Sequence, residues 1–277
     1  MRSTFLLVLV TALGCTGTLS LDEARVVDLT YPFNRDTIYW PTARSFELKP
    51  VAHGVNERGQ WYASNDFCAS EHGGTHLDAP LHFADGGRST AEVPLSQLIA
   101  PARVVDVRER CLADRDYQVS PEDIQAHEER YGRIPAGSAV LILTGFGRFY
   151  PDAKRYLGSD ARGVAENLHF PGIGEEAARV LVERRVGLVG LDTASLDHGP
   201  SQDFLAHRVL AQANIPGLEN VAHLDELPPR GATLIALPMK IEVGTGGPCR
   251  AIALLPPGVP RRIPVRTEPA PPSNASP

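Results

Sequence analysis

The sequence predicts an α/β fold, in one domain with a mixed β-sheet. Three observations lead to that expectation. Strand-like apolar runs recur at residues 25–29, 46–51, 61–65, 102–107, 139–143, 186–191, 233–237 and 251–255, several of them rich in Val, Ile and Leu on both faces, which suits strands covered by helices. Between the runs lie two or three segments with helical caps and periodicity. With 277 residues and 43% apolar content, the chain has ample material for a buried core.

Along the chain, Arg2, an apolar run over 5–13 and small residues through Ser20 follow the order of a secretory signal, so residues 1–20 are expected to be removed and the protein exported. The run is too short to span a bilayer. Cys15 offers an alternative, a lipidated first residue, although Leu13 stands where a small residue is expected. The mature domain then covers 21–256. Residues 257–277, dense in proline, serine and charge, are expected to form a flexible tail. A net charge of −6 with no cluster of Lys and Arg argues against nucleic acid or an anionic membrane and favours a small-molecule partner. Cys68, Cys111 and Cys249 remain after cleavage, and an odd set cannot all pair within one chain.

After the first three runs comes the densest chemistry in the chain, Glu71-His-Gly-Gly-Thr-His-Leu-Asp-Ala-Pro-Leu-His-Phe83. His72, His76, Asp78 and His82 fall within eleven residues, and neutral imidazoles with a carboxylate are a ligand set that Zn²⁺ or Mn²⁺ accepts. His76 and Asp78, two apart, share one face of an extended segment. Gly73 and Gly74 allow the backbone to bend and approach closely, and Pro80 stops a helix, so the cluster is expected on a strand edge and its adjoining loop. Cys68, four residues before His72, is either a fifth ligand or, as a small thiol, a buried neighbour of the site.

Further on, Ser120-Pro121-Glu122-Asp123 reads as an N-cap, a proline at the first helical position and acids in the first turn, starting a helix that ends near Gly132. The segment 175–185 is an amphipathic helix with paired acids before paired bases. A third helix is expected over 201–211, begun after Gly199-Pro200 and carrying His207. No internal repeat, GxGxxG loop or GxSxG elbow occurs.

The run from His72 to Phe83 resembles the signature of the metal-dependent cyclase-like hydrolases, a family that includes bacterial kynurenine formamidases and isatin hydrolases. The likeness extends through Trp40-Pro41, His207 and Glu219 to Pro238-Met239-Lys240-Ile241 and the segment 244–248, about residues 25–256 in all. It implies a swivelling β/α arrangement and homo-oligomers, usually dimers, whose neighbour helps to close the active site. It also implies that His72, His76 and Asp78 are metal ligands and that His207 and Glu219 complete a shell for one or two Zn²⁺ or Mn²⁺ ions. His82 is then a general acid/base instead of a ligand. On residue type alone, His207 reads as a helix histidine and Glu219 as a solvated loop acid.

The resemblance implies hydrolysis of a carbon–nitrogen amide bond, in an aryl formamide such as N-formylkynurenine. Alternatives are ring opening of a cyclic amide such as isatin, or a catalytically silent ligand binder. Glu219 resembles the formamidase ligand, where the isatin branch has glutamine and a single Mn²⁺; the stretches 132–135 and 227–232 look more like the isatin branch. Trp40 matches a position that faces the substrate ring, with an ordinary packed tryptophan as the alternative. Phe33, Trp61 and Phe67 are further wall candidates.

Overall fold

The computed structural model describes residues 25–256 together with 258, 259 and 261. The signal-like segment 1–20, with Cys15, lies outside the described residues, as does the tail 257–277 apart from those three positions. The strands are β1 (Arg25–Asp28), β2 (Glu47–Val55), β3 (Trp61–Cys68), β4 (His76–Asp78), β5 (Ile99–Asp106), β6 (Gln118–Val119), β7 (Ala139–Leu143), β8 (Gly172–Ile173), β9 (Leu188–Leu191), β10 (Gly217–Glu219), β11 (Arg230–Pro238) and β12 (Gly246–Leu255). The α-helices are α1 (Leu95–Leu98), α2 (Arg108–Ala113), α3 (Pro121–Tyr131), α4 (Ala153–Leu157), α5 (Glu175–Glu183) and α6 (Leu205–Gln212).

The main sheet runs β1-β12-β11-β5-β7-β9-β10-β4, and β12 also pairs with β4, so the sheet closes on itself. It is mixed, as expected: β5, β7, β9 and β10 are parallel neighbours, and the remaining pairings are antiparallel. Closure gives every strand an inner and an outer face. On β7, Ala139, Leu141 and Leu143 join an inner core with Leu77 of β4, Leu218 of β10 and Leu234 of β11, whereas Val140 and Ile142 join the outer core beneath α3, α5 and α6. That double burial explains the continuous apolar run.

The helices follow their sequence signals. The Ser120 N–H donates to Asp123 Oδ2 at 2.9 Å, closing the N-terminus of α3, and Gly132 ends it at φ +86°. On α5 the buried stripe is Ala177, Ala178 and Leu181, facing the outer core, with Glu175 and Glu176 in its first turn.

Five expectations need correction. The metal-site strand β4 is not at an edge, since it pairs with β10 on one side and β12 on the other. Helix α6 begins at Leu205, because residues 201–204 form a turn that ends with Phe204 at φ +50°. Six α-helices are present among the described residues where two or three were expected; the additional ones have at most six residues, too few for a periodic signal. Finally, β2 and β3 pair only with each other, as an exposed ribbon not covered by helices. Cys68 ends that ribbon as an exposed thiol instead of a buried neighbour of the site, while Cys111 and Cys249 are buried, and all three are free.

Candidate metal centre and active site

Inner and outer faces explain how the signature works. Leu77 points into the inner core, so its neighbours His76 and Asp78 point outward. On the adjacent strand Leu218 is likewise inward and Glu219 outward, and the register sets Glu219 opposite His76 and Gly217 opposite Asp78. His72 reaches the same place from the loop before β4. The chain turns there through Gly74 at φ +57°, a conformation that disfavours residues with a Cβ. Gly246 of β12 makes room, because a Cβ there would lie 2.5 Å from His72 Cε1. His207 arrives from the first turn of α6. Thus the five predicted ligands come together, four of them 5% exposed or less and His72 partly buried.

Hydrogen bonds fix the tautomer of each imidazole. His76 Nδ1–H donates to the Gly74 carbonyl at 3.0 Å, which leaves Nε2 as a bare lone pair 3.1 Å from Asp78 Oδ1 and 3.5 Å from Glu219 Oε2. Among the described residues no donor reaches that buried Nε2. His207 Nδ1–H donates to Asp197 Oδ2 at 2.6 Å, and its Nε2 faces Asp78 Oδ2 and Glu219 Oε1, each at 3.1 Å. For His72, the Thr245 hydroxyl proton goes to Glu71 Oε2 at 2.7 Å, so Thr245 Oγ1 accepts from His72 Nε2–H at 2.9 Å. His72 Nδ1 is therefore bare and lies 2.7 Å from Asp78 Oδ1.

Three imidazole nitrogens and two carboxylates thus converge in a largely buried space, an arrangement that needs positive charge, from a metal ion or from protons on the nitrogens. Burial works against a charged His76, yet Asp78 and Glu219 hold its pKa up, to about 9. His207 is likewise raised against burial, by Asp197, Asp78 and Glu219. Burial and the charge of Asp78 raise the carboxyl of Glu219. These opposing carboxylates call for a cation, and the donor set of imidazole nitrogen and carboxylate oxygen fits Zn²⁺ or Mn²⁺. Two groups of side chains able to hold an ion share Asp78, one with His72 and His82 and the other with His76 and Glu219.

Sequence reasoning missed the residues that hold these side chains in place. Asp197 accepts the backbone N–H groups of Ala206 and His207 at 2.9 and 3.1 Å, capping α6 while orienting the His207 ring, the carboxylate–histidine pairing common behind metal ligands. Its available signal was an acid just before a predicted helix. Glu71 accepts from Thr245 N–H, Thr245 Oγ1–H and Gly246 N–H, tying β12 to His72.

His82 ends a 3₁₀ turn, Pro80–His82, and its ring stacks on His72 with centroids 3.9 Å apart. Surrounding protein and the neighbouring imidazoles lower its pKa, to about 4, against the pull of Asp78. The ring is exposed on one side, and His82 is neutral at pH 7.

The side chains of this cluster line a cavity of ≈ 290 Å³ together with the aromatic residues Tyr39, Trp40, Phe83 and Phe204. Trp40 is set edge-on to Phe170 at 6.5 Å and tilted against Phe204 at 6.2 Å. Phe33, Trp61 and Phe67 do not line this cavity; Trp61 and Phe67 lie on the exposed ribbon.

Comparison with known proteins agrees with this geometry. Residues 27–198 match the model of the Cyclase family, described as "Putative cyclase". The isatin hydrolase of Roseibium aggregatum is 34% identical, the alignment covering 88% of this chain and 96% of that protein. The kynurenine formamidase of Salinibacter ruber is 31% identical over 82% of this chain and 96% of its own. The structure of isatin hydrolase A from Ralstonia solanacearum superposes with a TM-score of 0.76 at 33% identity, covering 85% of this chain and 93% of that one. By its signature, its closed sheet and its converging ligands, this chain belongs to the Cyclase family.

Proposed function

We propose that the protein is a metal-dependent hydrolase of the carbon–nitrogen bond of an aryl amide, an N-aryl formamide of the N-formylkynurenine type. The single observation that carries this reading is the convergence of His72, His76, Asp78, His207 and Glu219 on a cavity lined also by aromatic residues and His82. Glu219, a carboxylate facing the shared ligand Asp78, supports a centre of one or two ions. A second reading, ring opening of a cyclic amide, is favoured by the higher identity to the isatin hydrolase, 34% against 31% for the formamidase.

A divalent ion held by His72, His76, Asp78, His207 and Glu219 would supply Lewis acidity toward the amide carbonyl and toward water. The protein's own groups do the rest. Neutral His82 accepts the proton from the attacking water and delivers it to the leaving nitrogen, which otherwise departs as an unstable anion. Asp197, Gly74 and the Glu71–Thr245 pair keep the ligand tautomers fixed. The aromatic wall excludes water and stacks on the substrate ring.

The reading includes export, which rests on the order of residues 1–20, and a homo-oligomer. Pairing of two copies is supported by the β2–β3 ribbon, which exposes Leu48, Val51, Trp61, Tyr62 and Phe67.

Assaying N-formylkynurenine and isatin side by side, with wild type and Trp40→Ala, tests the substrate class. One of the two is expected to be hydrolysed, and Trp40→Ala to raise KM about 3- to 10-fold, with a smaller fall in kcat, since stacking of about 0.5–1.5 kcal/mol binds ground and transition states nearly alike. Turnover of neither contradicts the reading, and an unchanged KM returns Trp40 to ordinary packing.

A further inference from the structure

Asn220 directly follows Glu219, where β10 ends, and its backbone is left-handed at φ +52°. Asparagine tolerates this region better than most residues with a Cβ. Regular strand alternation would send residue 220 to the face opposite Glu219; with the left-handed turn both residues line the same cavity. Its N–H donates to the Thr193 carbonyl at 2.8 Å, and its own carbonyl accepts from Thr75 Oγ1–H at 2.7 Å.

The side chain is held by one end. Tyr156 Oη, on a ring 1% exposed, lies 3.0 Å from Asn220 Oδ1 and 3.1 Å from the Asp192 carbonyl oxygen. A phenol carries one proton and a backbone carbonyl can only accept, so with Oδ1 at this position two acceptors compete for that proton. The two ends of an amide are isosteric, and turning the group over satisfies all three partners. Tyr156 then donates to Asp192, Asn220 Nδ2–H donates to Tyr156 Oη, and Asn220 Oδ1 turns to the cavity. No protein group among the described residues takes that second end.

We propose that Asn220 Oδ1 accepts the amide N–H of the substrate, so that the site selects secondary aryl amides, open or cyclic, over N-alkylated amides. The assignment rests on the amide-hydrolase reading and names the substrate feature that it recognises. An acceptor fixed through Tyr156 sets the plane of the amide beside the ligand cluster. An analogue without the N–H leaves Oδ1 buried and unpaired, which is the stronger source of discrimination.

The test compares wild type with Asn220→Gly, chosen because glycine adopts φ +52° without strain. One readout is the ratio of kcat/KM for isatin or formanilide, whichever is turned over, to that of its N-methyl analogue. The second needs no turnover: the calorimetric affinity of the holoenzyme for oxindole against N-methyloxindole. Wild type is expected to prefer the N–H compound about 10-fold or more in both, and Asn220→Gly to bring both ratios toward one with its metal content retained. Tyr156→Phe, which frees the amide to turn, is expected to fall between them and serves as a second variant should the glycine protein fail to fold. Equal affinities in wild type, or an undiminished preference in either variant, overturns the assignment. If no amide is hydrolysed, the amide-hydrolase reading falls, while the oxindole pair still decides the role of Asn220.

Discussion

His76→Ala is expected to give a folded protein that holds no stoichiometric divalent metal and shows no turnover above background. His76 Nε2 is the buried lone pair that faces both Asp78 and Glu219, and its Nδ1–H is anchored on Gly74 of the same segment. Removing that imidazole takes a donor from the centre of the set, and the small side chain offers no substitute. Elemental analysis of the purified variant, beside a circular dichroism spectrum, checks the result. Stoichiometric metal in folded His76→Ala protein would remove His76 from the ligand set.

His82→Ala is expected to retain metal while kcat falls by roughly 10² to 10⁴, the usual contribution of a positioned acid/base group. Position alone does not separate the two roles, because His82, with His72 and Asp78, forms a group able to hold an ion, but its bonding differs. His82 makes no hydrogen bond to the other cluster residues and stacks its ring on His72, whereas the five proposed ligand side chains are linked by short contacts through Asp78 and Glu219. The loss should depend on the leaving group. An activated ester, whose departing oxygen needs little protonation, is expected to be hydrolysed by the variant at close to the wild-type ester rate, while an amide suffers the full deficit. Equal loss on ester and amide, or depleted metal, would make His82 a ligand or a structural residue.

The parts of this fold that the sequence revealed were those with a local signal. Residues 139–143 are buried on both faces and read as a strand with the observed bounds, and α3 carries its cap, proline and acids within four residues. The signature was legible because its ligands are close in sequence. Asp197 was not, because its carboxylate acts on His207 ten residues away, across a turn whose path depends on Phe204 in a left-handed conformation. Strand β4, three residues long, lies below the length at which alternation can be read, so its place between β10 and β12 follows only from closure of the sheet. The ribbon has the Val, Phe and Trp content of a covered strand; whether such a strand is covered is decided by neighbours that composition does not record. Cys68 was misplaced for the same reason.

The central claim is that the converging imidazoles and carboxylates hold a divalent cation on which amide hydrolysis depends. Titrating Zn²⁺ or Mn²⁺ into chelator-treated protein, with binding followed by calorimetry and turnover measured on the same samples, tests it most directly. The expected result is saturable binding of one or two ions per chain, with hydrolysis absent at the start and rising in step with occupancy. Undiminished hydrolysis by protein shown to contain no metal would contradict the account.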